Sequence, residues 1–325
     1  MKKLLSLVMA LVMALVMGLS MGAPVLAVGQ VGGNEYPYSD ETEIKIDKEI
    51  KLTNQGTVNP AETFNFTVGT GTVNGTGVSG VTAPEINDFS ISFDQEQVAS
   101  STDLQLPTFE HVGVYTYEIS ETAGNTAGMD YNTEAYKLQV TVLNDEDGGF
   151  KRVVTLVDGN DIKTDTILNT FEAGELVVKK EITGNFSQSD DTFEVTVTMT
   201  PDEGKNLKEG PITVTGAASE TGRVVKNEDG TVTVTFTVTH NSTVTIANVP
   251  YDVSYKVTED AGDYTATITG DNGEINKASQ EVKIVNNLDQ AIETGVNLDN
   301  LPYILVLALV GVGLISFTVR KRVRN

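Results

Sequence analysis

Cysteine is absent from the 325 residues of this chain, and histidine occurs only as His111 and His240. The lack of cysteine excludes disulfide frameworks, thiol nucleophiles and Cys-ligated metal centres. With two imidazoles, a hydrolase triad or a His-rich metal centre is disfavoured, so an enzyme would have to use carboxylates and lysines. Tryptophan is also absent and aromatic residues make up only 6% of the chain, which argues against the sugar-stacking cleft of a glycosidase.

Positive charge is also scarce. The chain has 22 Lys+Arg residues against 45 Asp+Glu residues, and its net charge is −23. An acidic protein of this kind repels nucleic acid and bare anionic lipid, so neither is predicted as a partner. Copies of such a chain also repel one another, and assembly would therefore need specific or covalent contacts.

Both ends of the chain are apolar. Residues 1–27 have the order of a secretory signal peptide, with Lys2 and Lys3, then an apolar run, then small residues. Residues 301–319 are 19 residues without a charge, and the basic tail 320–325 follows them. The first segment predicts export, and the second predicts a membrane span whose positive end stays inside. An ordinary single-pass anchor is one interpretation of the second segment.

Alternation of apolar and polar residues with period 2 dominates between the two ends, and almost no stretch has helical period. The clearest examples are residues 136–142, 193–199 and 231–238. This pattern predicts half-buried antiparallel strands. Turn clusters at 145–149 and 227–230 separate such strands at the spacing of a β-sandwich.

The middle of the chain divides into two similar halves. Residues 28–42 are predicted to be a flexible leader. The halves 43–172 and 173–290 begin and end with similar strands. We therefore predict an all-β fold of two tandem antiparallel β-sandwiches that arose by duplication.

Each half places one lysine, one glutamate and one asparagine on the apolar face of its strands. Side chains alternate strictly along a strand, so Lys48 shares a face with Ile46 and Ile50. The same alternation in the other strands predicts which further polar side chains point inward. They are Glu121 and Asn169 in the first half, and Lys180, Glu259 and Asn286 in the second. The triple therefore recurs in the same strand order.

Two ordinary explanations exist for such a triple. An unpaired buried charge costs several kcal/mol, so the lysine and glutamate could form a structural pair while the asparagine satisfies leftover hydrogen bonds. Alternatively, a kink or bulge could turn the three residues out to solvent. The recurrence of the triple in both halves favours a functional role.

The six residues stand in motifs that resemble those of Gram-positive backbone pilins, which have immunoglobulin-like, Cna-B-like domains with internal Lys–Asn isopeptide bonds. The motifs are Ile-Asp-Lys at Lys48, Ile-Ser-Glu-Thr at Glu121, Leu-Asn-Thr at Asn169, Val-Val-Lys-Lys at Lys180, Val-Thr-Glu-Asp at Glu259 and Ile-Val-Asn-Asn at Asn286. The resemblance to this streptococcal pilin isopeptide-linkage family covers the whole mature chain.

The resemblance implies two intramolecular bonds, Lys48–Asn169 and Lys180–Asn286, with Glu121 and Glu259 as the catalytic proton shuttles. The chemistry has a physical basis, because desolvation in an apolar pocket disfavours both charged forms and allows a neutral amine and a neutral acid. The amine then attacks the asparagine carbonyl, and ammonia leaves. Each domain reacts once, so the protein is not an enzyme.

The segment 291–295 reads Ala-Ile-Glu-Thr-Gly and precedes a polar spacer, the apolar span and the basic tail. This order resembles a Gram-positive sortase sorting signal, which usually begins with Leu-Pro where this chain has Ala291 and Ile292. The resemblance implies that a sortase cuts between Thr294 and Gly295 and joins Thr294 to an amine.

In related pilins the acceptor lysine lies just before the last strand of the first domain, and Lys163 occupies that place. An ordinary solvated loop lysine is the other interpretation of Lys163. Lys151 and Lys137 are the next candidates for the acceptor.

These resemblances predict a structural shaft subunit of a covalently polymerised pilus, secreted and attached to the cell wall of a Gram-positive bacterium. The expected partners are a sortase, neighbouring copies of the chain, peptidoglycan, and tip or base pilins, with no cofactor. The alternative is a wall-anchored monomer acting as adhesin or stalk. Asp158, Asp161 and Asp165 could bind a metal ion, but they fit no EF-hand pattern, so no metal site is predicted.

Overall fold

The computed structural model describes residues 40–145, 148–217 and 222–290, together with residues 303, 305–312 and 314. The predicted signal peptide, most of the predicted leader and the sorting motif 291–295 lie outside these residues. Residues 303, 305–312 and 314 are helical. Within the part of the chain that is described, no helix has the length and apolar character needed to cross a membrane.

The first domain is a β-sandwich. Its strands are β1 Glu43–Leu52, β2 Glu62–Val68, β3 Thr72–Asn74, β4 Phe89–Phe93, β5 Ala99–Gln105, β6 Gly113–Thr122, β7 Met129–Asp130, β8 Tyr136–Asn144, β9 Phe150–Val157 and β10 Thr166–Phe171. One sheet has the order β5-β1-β10-β7. The other has the order β4-β2-β6-β8-β9, and β3 also pairs with β6. Alternate side chains of both sheets fill the core between them, such as Ile46 and Ile167 from the first sheet and Phe64 and Leu138 from the second.

The second domain is another β-sandwich. Its strands are β11 Ala173–Thr183, β12 Phe193–Pro201, β13 Thr213–Thr215, β14 Arg223–Lys226, β15 Val232–Val238, β16 Thr243–Pro250, β17 Val253–Asp260, β18 Thr265–Thr269, β19 Asn272–Ile275 and β20 Ser279–Asn287. The sheets have the orders β13-β16-β11-β20-β18 and β14-β15-β12-β17-β19. The predicted all-β fold of two tandem sandwiches is confirmed.

In both domains the first and last strands are parallel neighbours inside one sheet, β1 beside β10 and β11 beside β20. The register is also the same: Ile50 stands opposite Asn169, and Ile182 stands opposite Asn286. Each asparagine is therefore level with the residue two positions after the predicted lysine. Since residues two apart share a face, lysine and asparagine project from adjacent strands into the same core.

The directions of β10, β11 and β20 show where the Lys163 loop lies relative to the end of the second domain. Strand β10 runs from the loop 158–165 to the junction at Glu172, and β11 begins at the next residue, Ala173. Strand β20 runs parallel to β11, away from the junction, and ends at Asn287 opposite Thr183. The loop that contains Lys163 and the exit of the chain toward residue 290 therefore lie at opposite ends of the two-domain unit.

The end of the predicted leader is part of the first domain. Asp40 forms an ion pair with Arg152, and the backbone N–H of Glu41 donates to the Arg152 carbonyl. The N–H of Leu106 donates to the carbonyl of Thr42. Residues 40–42 are thus hydrogen-bonded to the sandwich, in contrast to the flexible leader predicted for 28–42.

Candidate cross-linking sites

Lys48, Glu121 and Asn169 meet in the core of the first domain. They come from β1, from the end of β6 and from β10 respectively. The Lys48 Nζ lies 2.8 Å from Glu121 Oε2, and Asn169 Nδ2 donates to Glu121 Oε1 at 2.6 Å. One carboxyl group therefore holds the amine and the amide together.

A backbone donor from the loop after β7 fixes the orientation of the Asn169 amide. The N–H of Asn132 lies 2.9 Å from Asn169 Oδ1, and an N–H can only donate. The Asn132 side chain braces this loop, because its Nδ2 donates to Tyr136 Oη and to the Leu168 carbonyl. The Asn132 N–H is therefore placed to stabilise negative charge on Oδ1 if the amide is attacked.

This arrangement assigns polarisation of the carbonyl to a group that the sequence analysis missed. Glu121 contacts the amide nitrogen of Asn169, the atom that would leave, and the Asn132 N–H contacts the oxygen. A backbone N–H in a loop produces no residue pattern, so no signal in the sequence could have identified it.

The first site is sealed from water. The side chains of Lys48 and Glu121 are 0% and 1% exposed, and the Phe64 ring lies under the amine with its centroid 4.8 Å from Nζ. Burial lowers the pKa of Lys48 from 10.5 to about 8, although the hydrogen bond and charge of Glu121 oppose the shift. A neutral, nucleophilic amine is therefore more accessible than in an exposed lysine.

The second domain brings Lys180, Glu259 and Asn286 together from β11, β17 and β20. The Lys180 Nζ lies 2.7 Å from Glu259 Oε1, and both side chains are 0% exposed. The Phe193 ring centroid is 4.3 Å from Nζ. Burial lowers the pKa of Lys180, against the opposing hydrogen bond and charge of Glu259.

The two sites differ at the asparagine. Asn286 is fully buried, and neither its Nδ2 nor its Oδ1 has a hydrogen-bond partner among the described residues. Glu259 Oε2 is likewise without a partner there. A buried amide without hydrogen bonds costs roughly 1–3 kcal/mol, so the Asn286 amide is destabilised at this position in the core.

Both sites also contain a phenylalanine that the sequence analysis did not single out. Phe64 lies on β2 and Phe193 begins β12, which are the second strands of their domains. Alternation along these strands is enough to predict that both rings point inward. Their place beneath a lysine depends on how the two sheets face each other, which alternation does not determine.

Lys163 lies on the surface, in a loop ordered by Asp158. The carboxylate of Asp158 accepts hydrogen bonds from the N–H groups of Asn160 and Ile162, each at 2.9 Å. Lys163 is exposed and has no ion pair among the described residues. The other two candidates are paired, Lys137 with Asp161 at 3.0 Å and Lys151 with Asp145 at 3.4 Å. Thr294 and Gly295 lie outside the described residues.

Comparison with known proteins identifies the first domain. Residues 44–172 match the family described as the Spy0128-like isopeptide containing domain, and residues 174–288 match a domain of unknown function. A curated pilin of Streptococcus pyogenes serotype M1 is 26% identical in an alignment of 244 residues, and the alignment covers 68% of this chain and 71% of that protein.

Two solved structures share the fold. The major pilin T3.2 of S. pyogenes serotype GAS13637 has a TM-score of 0.53 and 23% identity, covering 77% of this chain and 99% of its own. Another major pilin of S. pyogenes has a TM-score of 0.51 and 20% identity, with the same coverage. Residues 44–172 thus match the isopeptide containing domain family, and the chain as a whole is similar to pilins. These relatives are structural, in agreement with the prediction that the chain is not an enzyme.

Proposed function

We propose that this chain is the repeating shaft subunit of a covalently polymerised Gram-positive pilus, stabilised by a self-catalysed Lys–Asn isopeptide bond in each domain. The observation that carries the proposal is the duplicated triple. In each domain a buried lysine and asparagine project from parallel first and last strands, and a buried glutamate contacts the lysine. The similarity to curated and solved pilins supports the same function.

In the proposed reaction, Glu121 takes a proton from the Lys48 ammonium, and the neutral Nζ attacks Cγ of Asn169. Negative charge develops on Oδ1, where the Asn132 N–H stabilises it. Glu121 then passes this proton to Nδ2, which it already contacts, and takes the extra proton of the attacking Nζ as the Cγ–Nδ2 bond breaks. The products are a secondary amide and one ammonia, so no oxidant or cofactor is needed. Glu259 has the same role for Lys180 and Asn286.

Polymerisation would use the two ends of the molecule. A sortase would cleave after Thr294 and transfer its carbonyl to Lys163 of the next subunit. Lys163 is exposed and has no ion pair with the residues that the structure describes, and it lies at the opposite end from the exit of the chain, which gives a head-to-tail polymer with one axis. A covalent link also overcomes the electrostatic repulsion between acidic subunits. The final subunit would be joined to peptidoglycan, after the precursor has been held in the membrane by the span 301–319.

The internal bonds are tested by intact mass spectrometry of recombinant residues 28–294. The expected mass is lower than that of the sequence by two molecules of ammonia. Glu121→Ala and Glu259→Ala should each restore one ammonia, because each removes one proton shuttle. An unmodified mass for the parent protein would overturn the proposed chemistry.

Polymerisation is tested by immunoblotting the cell-wall fraction. The parent chain should give a ladder of high-mass bands, and Lys163→Ala should abolish the ladder while leaving a wall-attached monomer. Lys137→Ala and Lys151→Ala are matched controls, since each removes a lysine of the same domain that is already ion-paired. A ladder that survives Lys163→Ala would show that another lysine is the acceptor. A single band from the parent chain would favour the anchored adhesin or stalk instead.

A further inference from the structure

The loop between β6 and β7 leaves the first domain and docks on the second. Ala127 is fully buried, within the hydrophobic core of the second domain. Its N–H donates to the Asn206 carbonyl at 3.0 Å, and the Asn206 N–H donates to the Asn125 carbonyl at 2.7 Å. Thr126 and Asn206 thus form a parallel β-bridge between the domains. We call residues 123–128 the docked loop.

The docked loop is held closely against the junction. Gly128 has a φ of +74°, and a Cβ there would collide with the Glu172 carbonyl and lie 2.9 Å from Pro250 Cβ. The Gly128 carbonyl accepts the N–H of Glu172 at 2.8 Å, so the loop and the interdomain connection fix each other. A side chain at this position would force the two domains apart.

The docked loop separates the two groups that contact Asn169. Glu121, which accepts from Asn169 Nδ2, stands two residues before it, and Asn132, whose N–H donates to Oδ1, stands four residues after it. Tyr131 connects the loop to the second group, because its hydroxyl accepts the N–H of Thr126 at 3.1 Å and Asn132 is the next residue. The docked loop is thus linked along the chain to both groups that contact the amide.

We infer that docking of residues 123–128 on the second domain positions Glu121 and the Asn132 N–H for reaction, so that bond formation between Lys48 and Asn169 depends on the second domain. Ala127 is in this sense a positioning residue. The inference rests on the proposed isopeptide chemistry. Bond formation at the second site should not depend on the first domain in this way, because the loop that follows Glu259 leads to β18 of the same domain.

The test compares Ala127→Asp with Ala123→Asp in the full two-domain protein. Both place a carboxylate in the docked loop, but Ala127 is buried in the second domain and Ala123 is exposed. In pulse-labelled chains followed from their synthesis, before either bond has formed, peptide mass spectrometry records ammonia loss at each site with time. Ala127→Asp should slow the first site by roughly ten- to hundredfold, the cost of a catalytic group displaced by about 1 Å. The second site should keep its rate, and Ala123→Asp should behave as the parent.

Gly128→Ala is the second variant, because it displaces the docked loop without placing a charge in the core of the second domain. It too should lower the ratio of the first-site rate to the second-site rate. An unchanged ratio in both Ala127→Asp and Gly128→Ala, whether the rates themselves fall or not, would overturn the inference. Failure of the first site to lose ammonia in the parent protein would instead overturn the proposed function.

Discussion

Removing the second-domain bond should make the subunit extensible under force, whereas removing the first-domain bond should not. The reason is the position of Lys163, just before β10. Tension that enters at Lys163 follows β10 and the junction into β11, crosses to β20 through the Lys180–Asn286 bond, and leaves at Thr294. Most of the first domain, residues 40–162, lies outside this path.

The expected extension follows from the length of chain that each bond excludes. The Lys180–Asn286 bond excludes 106 residues from the load, which is about 370 Å of extended chain at roughly 3.5 Å per residue. Asn286→Ala should release that length in one step. Asn169→Ala should release no such step, because only nine residues separate Lys163 from Glu172.

Single-molecule stretching can measure this directly, because the absence of cysteine makes Lys163→Cys and Thr294→Cys unique attachment points. Moving the first attachment point to Glu43→Cys is the matched control. Pulling there loads β1, so Asn169→Ala should now release the 121 residues from Lys48 to Asn169, about 420 Å. A long step in the parent chain, or none in Asn286→Ala, would refute the load path.

Three other predictions concern the chemistry and the processing of the chain. Glu121→Gln should lower the melting temperature of the first domain in calorimetry. A missing cross-link of this loop length costs about 5 kcal/mol, and the Lys48 ammonium stays buried without its carboxylate. An unchanged melting temperature in a protein that lacks the bond would contradict this prediction. The rate of ammonia loss at the first site should fall above pH 8, because Lys48, with a pKa of about 8, then loses the proton that Glu121 must deliver to the leaving nitrogen. A rate that rises to a plateau above pH 8 would mean that Glu121 acts only as a base. Sequencing of wall-released protein should end at Thr294, and recovery of residues 301–325 would mean a plain membrane anchor.

Alternation along strands was enough to place the lysine and asparagine side chains in the core. Lys48 and Lys180 were directed inward by their apolar neighbours at two-residue spacing, and Asn169 and Asn286 by theirs. These residues lie on long strands whose register is fixed by a buried face. The all-β fold and the duplication followed from the same signal.

The groups that the sequence could not supply belong to loops and to contacts between domains. The segment 123–128 reads Ala-Gly-Asn-Thr-Ala-Gly, an ordinary turn composition, and nothing in it indicates that Ala127 enters the core of another domain. The Asn132 N–H acts through the backbone and is independent of side-chain identity. Both depend on how distant segments pack, which residue periodicity does not encode.

The two chemically equal bonds would therefore have different mechanical roles. In the second domain the Lys180–Asn286 bond joins the strand where tension enters to the strand where it leaves, so the bond itself bears the load. In the first domain Asn169 lies on β10, and tension acts only along the length of this strand. Lys48 lies on β1, which pairs with β10 but lies outside the load path. The Lys48–Asn169 bond would then keep the unloaded body of the domain attached to the strand that transmits the force. If Lys163 were instead at the start of β1, both bonds would bear the load, so the position of the acceptor lysine decides the role of each bond.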